Sequence, residues 1–343
     1  MIKNKLTIFS AIASSALVLS ACSSSDTTTS TDAAAPQSEA TASAASESSS
    51  PSETGSVSVI ATTTMLGDVA NNIISCAGGT TTVLMPVGAD PHDFSASSDQ
   101  VASMVNADLV ITNGLGLESG LRDALENAAN DGANVMEVAA LINPIKFGSG
   151  GHDDHSDEEG HDDHGHGDLD PHFWFDMNRM ADAAQLIGAE LTQITGDEVY
   201  ITCADTTATQ IQAAESDVRE ILESVPVENR ILVTDHDALG YLAAVYDYEI
   251  AGTIIPAGTT AASPSSSDLA VLVETIKAED VSAIFANTAV PTDLADAVAA
   301  ETGDDVSVVT LYVGSLGGPD SPAATYIDMM RSNASLIAQA LQD

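Results

Sequence analysis

Ile231-Leu232-Val233-Thr234, then Asp235-His236-Asp237, then Ala238-Leu239-Gly240-Tyr241-Leu242-Ala243-Ala244-Val245, and, after Tyr246-Asp247-Tyr248, the run Glu249-Ile250-Ala251-Gly252-Thr253-Ile254-Ile255. The first run is short, apolar and β-branched, as a buried strand should be. The third is a stretch of small and apolar residues that favours helix, and the last is again β-rich. Strand, helix and strand in this order predict a parallel sheet with crossover helices. The polar Asp235-His236-Asp237 falls at the strand's C-terminal edge, where sheets of this kind hold their ligands.

The same alternation extends in both directions. On the C-terminal side the pattern predicts a helix over 269–277, a strand over 281–286, a helix over 294–301, a strand over 306–311 and a closing helix over 326–341. On the N-terminal side it predicts strands over 57–61, 80–85, 109–112 and 134–138. Helices are expected over 65–75, 100–105, 117–129 and 177–195. Between the two series, Ala208, Ile211, Ala214, Val218, Ile221 and Leu222 keep one face apolar, so 204–224 reads as a long helix. The expected architecture is α/β: two doubly wound parallel-sheet lobes joined by one long rigid helix, with a cleft between the lobes. The expected boundaries are an N-terminal lobe at 57–199, a connecting helix at 200–225 and a C-terminal lobe at 226–343.

What precedes residue 57 is of another kind. Lys3 and Lys5 lead an apolar run over 6–19 that is short for a membrane span, and Leu19-Ser20-Ala21-Cys22 resembles a bacterial lipobox. Residues 1–21 are therefore expected to be a lipoprotein signal peptide, with Cys22 as the lipidated residue. Residues 22–56, nearly all Ser, Thr, Ala, Pro and acid without an aromatic, read as a lipid-anchored flexible linker. The 343 residues carry 9 Lys+Arg against 51 Asp+Glu, a net charge of −42, while 44% are hydrophobic. The apolar content supports a core; the charge argues against nucleic acid and anionic membrane surfaces as partners. Cys76 and Cys203 remain. An extracytoplasmic setting favours a disulfide between them; the alternative is two buried thiols.

The histidines carry the functional reading. Five of the eight, His152, His155, His161, His164 and His166, lie in an acidic insert at 147–170 that has no Lys or Arg. Spacings such as His152-Asp153-Asp154-His155 can chelate divalent ions without fixed structure. The other three, His92, His172 and His236, each sit in a small polar cluster at a loop or strand edge, which points to one shared metal site. Asp90, Asp170 and Asp235 beside them can orient the imidazoles, or serve as caps and solvated charges. Gly114-Leu115-Gly116 lacks the context of a dinucleotide fingerprint, Ser265 reads as a helix cap rather than a nucleophile, and Trp174 is expected to pack the cleft wall.

Taken together, Ala61-Thr62-Thr63-Thr64-Met65-Leu66-Gly67, residues 85–94, 107–118 and 170–176, Val233 to Tyr241 and Thr325-Tyr326-Ile327-Asp328-Met329-Met330-Arg331 resemble the metal-binding lipoproteins of bacterial ABC importers. This is the solute-binding family that serves zinc and manganese, and the likeness is to its zinc-specific branch. The resemblance implies two lobes bridged by a helix, metal in the cleft, and His92, His172 and His236 as ligands. It also implies a His-rich loop acting as a collector or sensor, and a non-enzymatic monomer held to the membrane by its N-terminal lipid and served by an ABC permease and its ATPase. Two positions depart from the family: Asn287 stands where Glu is common and Gly314 where Asp is common, so the fourth ligand stays open among water, a carboxylate from a neighbouring loop and a group from the insert. Three imidazoles without a carboxylate favour Zn²⁺ over Mn²⁺. The expected function is extracytoplasmic capture of Zn²⁺ and its delivery to a permease. The competing readings are a manganese importer component, a surface adhesin or metal buffer, and a zinc-dependent hydrolase, for which no HExxH motif or general base is present.

Overall fold

The computed structural model describes residues 57–148, 169–303 and 306–342. Strands β1 (Ser58–Ala61), β2 (Thr80–Val83), β3 (Leu109–Thr112) and β4 (Val135–Glu137) form one parallel sheet in the order β2-β1-β3-β4. Strands β5 (Ile231–His236), β6 (Glu249–Ile255), β7 (Ala283–Asn287) and β8 (Ser307–Leu311) form a second, in the order β6-β5-β7-β8. The two orders are the same: each lobe starts on a central strand, goes to one side, then crosses to the other. Each sheet therefore has a switch point, at the C-terminal ends of β1/β3 and of β5/β7, where the flanking loops diverge and leave a crevice.

Strand alternation assigns the faces. Val59, Ala61, Leu109 and Ile111 of the first sheet, and Leu232, Ala283 and Phe285 of the second, enter one core. That core also takes α1 (Thr64–Cys76), α4 (Met177–Thr195), α5 (Val199–Glu223), α6 (Gly240–Tyr246) and α9 (Tyr326–Leu341). The residues between them face outward. Ile60 and Val110 meet α2 (Ser98–Asn106) and α3 (Arg122–Asn130), while Val233, Ile284 and Ala286 meet α7 (Ser266–Ala278) and α8 (Asp293–Thr302). The inner core runs unbroken from Val57 to Leu341.

Helix α5 is tied into this core at both ends. Its Cys203 is bonded to Cys76 at the end of α1, with the Cα atoms 6.1 Å apart. Arg331 of α9 pairs with its Asp217 at 2.6 Å. It begins at Val199, five residues before the expected start at 204, because the Asp197 carboxylate accepts the Val199 N–H and Tyr200 is buried. Ser265 caps α7 in a reciprocal pair with Asp268, the role read for it from sequence.

The expected helix over 117–129 is a shorter one. Gly114, Leu115 and Gly116 all have positive φ, a single turn of 3₁₀-helix covers Ser119–Leu121, and α3 starts at Arg122. The cause is Glu118. Its buried carboxylate accepts from the hydroxyls of Thr62 and Thr112 and from the backbone N–H groups of Asn113 and Gly114, which folds the loop back over the β1/β3 switch point.

Candidate metal site in the cleft

His236 is the last residue of β5, which runs two residues beyond its expected end at 234. Asp235 holds it: Oδ1 accepts both the His236 backbone N–H (2.8 Å) and Nδ1 (2.9 Å), and Oδ2 accepts the backbone N–H of Asn287 from β7 (3.0 Å). His172 is held in the same manner by Asp170, whose Oδ1 accepts the His172 backbone N–H (2.9 Å) and Nδ1 (2.8 Å). Asn113 fixes that loop by donating to the Pro171 carbonyl, and Tyr241 by donating to the Asp170 carbonyl. The third acid behaves differently. Asp90 turns the loop of His92 by accepting its backbone N–H (3.0 Å), and its other oxygen takes the Thr260 hydroxyl from the opposite lobe.

These supports bring three imidazoles from separate parts of the chain to one point. The ring centroids form a nearly equilateral triangle: 5.4 Å for His92–His172, 5.4 Å for His92–His236 and 5.3 Å for His172–His236. All three are buried, at 4%, 0% and 1% exposure respectively. One potential ligand atom from each lies within 4.8 Å of the others, and among the described residues no carboxylate joins the group. With Nδ1 of His172 and of His236 donating to carboxylates, each Nε2 carries a lone pair. Nε2 of His236 is buried without a hydrogen-bond partner among the described residues. Nε2 of His172 and Nε2 of His92 are 3.4 Å apart. Two nitrogens bound tetrahedrally at about 2.0–2.1 Å would be separated by roughly 3.3–3.4 Å, so the geometry fits a small divalent cation.

The electrostatics agree. Burial holds the His172 imidazole well below its ordinary pKa, with His236 adding to the effect, so the ring stays neutral and able to ligate. Burial pushes the Asp170 carboxyl up to about 7, against its hydrogen bond from His172. Asp237 rises to about 6, through burial and then the nearby Asp170. A cation in the triangle would stabilise the charged form of both acids. Trp174 closes one side: its ring centroid is 5.3 Å from that of His172, and its Nε1 donates to the Val313 carbonyl of the second sheet's lobe. A cavity of about 450 Å³ lies beside the site, with Asp90, Asp93, Asp235 and Thr260 in its lining.

His152, His155, His161, His164, His166 and Cys22 lie outside the described residues. The insert's two ends are described: Lys146 and Leu169 pair in an antiparallel bridge, and Phe147 packs 6.4 Å from the His172 ring. Sequence reasoning missed Glu118, a lone acid whose partners are Thr62 just past β1, Thr112 at the end of β3 and the two loop residues after it. It noted Asn287 only as a departure, without its hydrogen bond to Asp235.

Two α/β lobes with a buried three-histidine cluster that could hold a metal ion are the architecture of a metal-binding solute-binding protein of the kind that serves ABC importers. The chain belongs to the family described as zinc-uptake complex component A, periplasmic (ZnuA), which it matches over residues 59–340. It is 29% identical over 296 residues to the zinc-binding protein TroA of Treponema pallidum (84% of this chain, 89% of that one). To the manganese-binding lipoprotein MntA of Halalkalibacterium halodurans it is 26% identical over 287 residues (83% and 88%). Among solved structures, the periplasmic zinc-binding protein TroA of Treponema pallidum superposes with a TM-score of 0.73 at 26% identity (84% of this chain, all of that one). The cadmium-bound periplasmic metal-binding protein of Candidatus Liberibacter asiaticus gives 0.69 at 25% identity (83% and 99%). Three further relatives, from streptococci, are described as substrate-binding lipoproteins of metal ABC transporters.

Proposed function

We propose that this protein captures Zn²⁺ outside the cytoplasm and hands it to an ABC permease powered by its ATPase, with His92, His172 and His236 as ligands. The observation that carries this reading is the donor set: three buried imidazoles, and no carboxylate among the described residues within reach of the same point. Zn²⁺ accepts four-coordinate, nitrogen-rich surroundings, whereas Mn²⁺ favours more oxygen. The manganese reading has support in the relatives named for that metal, and the donor set weighs against it. The chain would work as a monomer tethered through Cys22 by the linker at 22–56. Its lobes are taken as residues 57–199 and 226–343, with the helix at 200–225 between them. The His-rich insert, whose flanking residues meet beside His172, would supply lower-affinity imidazoles near the cleft.

The test is metal competition. The chain from residue 57 onward, stripped with chelator, is offered equal Zn²⁺ and Mn²⁺, and bound metal is counted by mass spectrometry. One tightly held zinc that survives deletion of 148–168 and disappears in His236→Ala supports the proposal. A manganese preference, or zinc lost entirely with the insert, overturns it.

A further inference from the structure

Asn287 ends β7 beside His236, which ends β5. The register pairs Val233 with Ile284 and Thr234 with Phe285, so two residues on, His236 and Asn287 are neighbours in parallel strands. Alternation puts their side chains on the same face: Ala283 and Phe285 enter the inner core with Leu232, while Ile284 and Ala286 face outward with Val233. The two residues flank the crevice at the switch point of the second sheet.

The orientation of the Asn287 amide is set by its neighbours. Its Oδ1 accepts the backbone N–H of Ala289 (2.9 Å) and, more weakly, that of Gly314 (3.4 Å). A backbone N–H can only donate, so the oxygen must face these two groups and the nitrogen must face away. That nitrogen, Nδ2, belongs to a residue only 1% exposed and has no hydrogen-bond partner among the described residues. A buried amide nitrogen left so is destabilising unless something accepts from it. It lies by Pro91, the residue before His92: a Cβ built on Gly314 would stand 2.8 Å from Pro91 Cδ and 3.4 Å from Asn287 Nδ2. A donor cannot ligate a cation. It can hold an acceptor that does.

Resting on the metal reading above, we propose that the fourth position around the bound ion is filled by a small exogenous acceptor, a water or a monoatomic or linear anion, which Asn287 Nδ2 holds by a hydrogen bond. Three neutral imidazoles leave the ion its full double charge, which favours such a ligand. Gly314 brings no side chain that could take the fourth position itself. Asn287 is thus a specificity-determining residue: it replaces a fixed protein oxygen with an exchangeable ligand.

The experiment loads the chain from residue 57 onward with Co²⁺, whose visible absorption reports coordination number and ligand exchange, in chloride-free buffer. Chloride and then azide are titrated. The wild-type protein should give a four-coordinate spectrum that azide alters saturably. A prior shift on adding chloride identifies a halide as the resident acceptor, and no shift until azide identifies water; either supports the proposal. Asn287→Asp keeps an oxygen for Ala289 and Gly314 but loses the donor, and Asn287→Ala removes the amide. Both should bind Co²⁺ and need at least tenfold more azide. An azide-insensitive wild-type spectrum, or variants that titrate like the wild type, would overturn the inference. So would X-ray absorption showing four imidazole nitrogens. His236→Ala separates the two readings: if it abolishes the Co²⁺ spectrum while azide has no effect on the wild type, only Asn287's role fails. If it leaves the spectrum intact, the cleft assignment itself fails.

Discussion

Asp170 and His172 are two residues apart in the chain and 2.8 Å apart through Oδ1 and Nδ1, with both side chains out of contact with solvent. The second oxygen of Asp170 is buried without a hydrogen-bond partner among the described residues, close to Gly240 at the start of α6. A histidine of the candidate metal cluster is thereby fixed in tautomer and angle by a carboxylate that is itself poorly solvated.

Asp170→Asn should weaken zinc binding by about 10–100-fold, the usual cost of losing an orienting carboxylate, as measured by competition with a fluorescent chelator. The fold should survive, since an amide can still accept from the His172 N–H groups.

The same pair predicts a pH signature in the metal-free protein. The folded-state pKa of Asp170 is raised from 3.8 to about 7, so the folded state holds the proton more tightly than the unfolded chain. This contribution is fully present below pH 3.8 and is lost as pH rises through about 7. His172 works in the other direction: its folded pKa is lowered from 6.5, so its cost appears as pH falls below that value. With chelator present, the melting temperature of Asp170→Asn minus that of the wild type should rise from pH 5 to pH 8. A difference that stays flat would mean the carboxylate is ionised throughout.

Gly314→Asp tests whether the carboxylate that the family resemblance leads one to expect at this position can simply be introduced. Its Cβ would fall 2.8 Å from the Pro91 ring, and a proline ring cannot swing aside as a long side chain would. A destabilisation of about 1–3 kcal/mol is expected in chemical denaturation, together with altered metal preference rather than a plain gain in affinity.

Replacing both Cys76 and Cys203 by Ser opens a covalent loop between residues 127 apart in sequence and should cost about 2–5 kcal/mol of stability. Zinc affinity should change less than threefold, because neither cysteine belongs to the histidine cluster.

Glu118→Ala removes the acceptor for two hydroxyls and two backbone N–H groups in a buried loop. Stability should fall by roughly 3–5 kcal/mol. Zinc binding should fall too, since Asn113, whose backbone Glu118 fixes, holds Pro171 beside His172.

What could be read from sequence follows from how local each signal is. Helices Met177–Thr195 and Tyr326–Leu341 and strand Glu249–Ile255 keep their expected limits, because their periodicity extends over the whole element. Boundaries set by one distant contact were not legible: α3 starts late because Glu118 reaches back to Thr62, and β5 runs on to His236 because Asp235 is gripped from β7. His92, His172 and His236 were singled out by being scarce and placed at element edges. The difference between Asp90, which turns a loop, and Asp170 and Asp235, which hold imidazoles, lies in the three-dimensional contacts of each carboxylate. The local pattern of an Asp just ahead of a His is common to all three.

The continuous core has a consequence for the order of folding. Leu341 packs in the same apolar cluster as Val57, and the Tyr326 N–H is bound by Asp68 of α1 while its hydroxyl is bound to the Trp174 carbonyl. A chain emerging N-terminus first therefore offers a half-finished first lobe for as long as its last helix is missing. The earliest residues made must wait for the latest, and any chaperone or protease that meets the nascent chain meets it open.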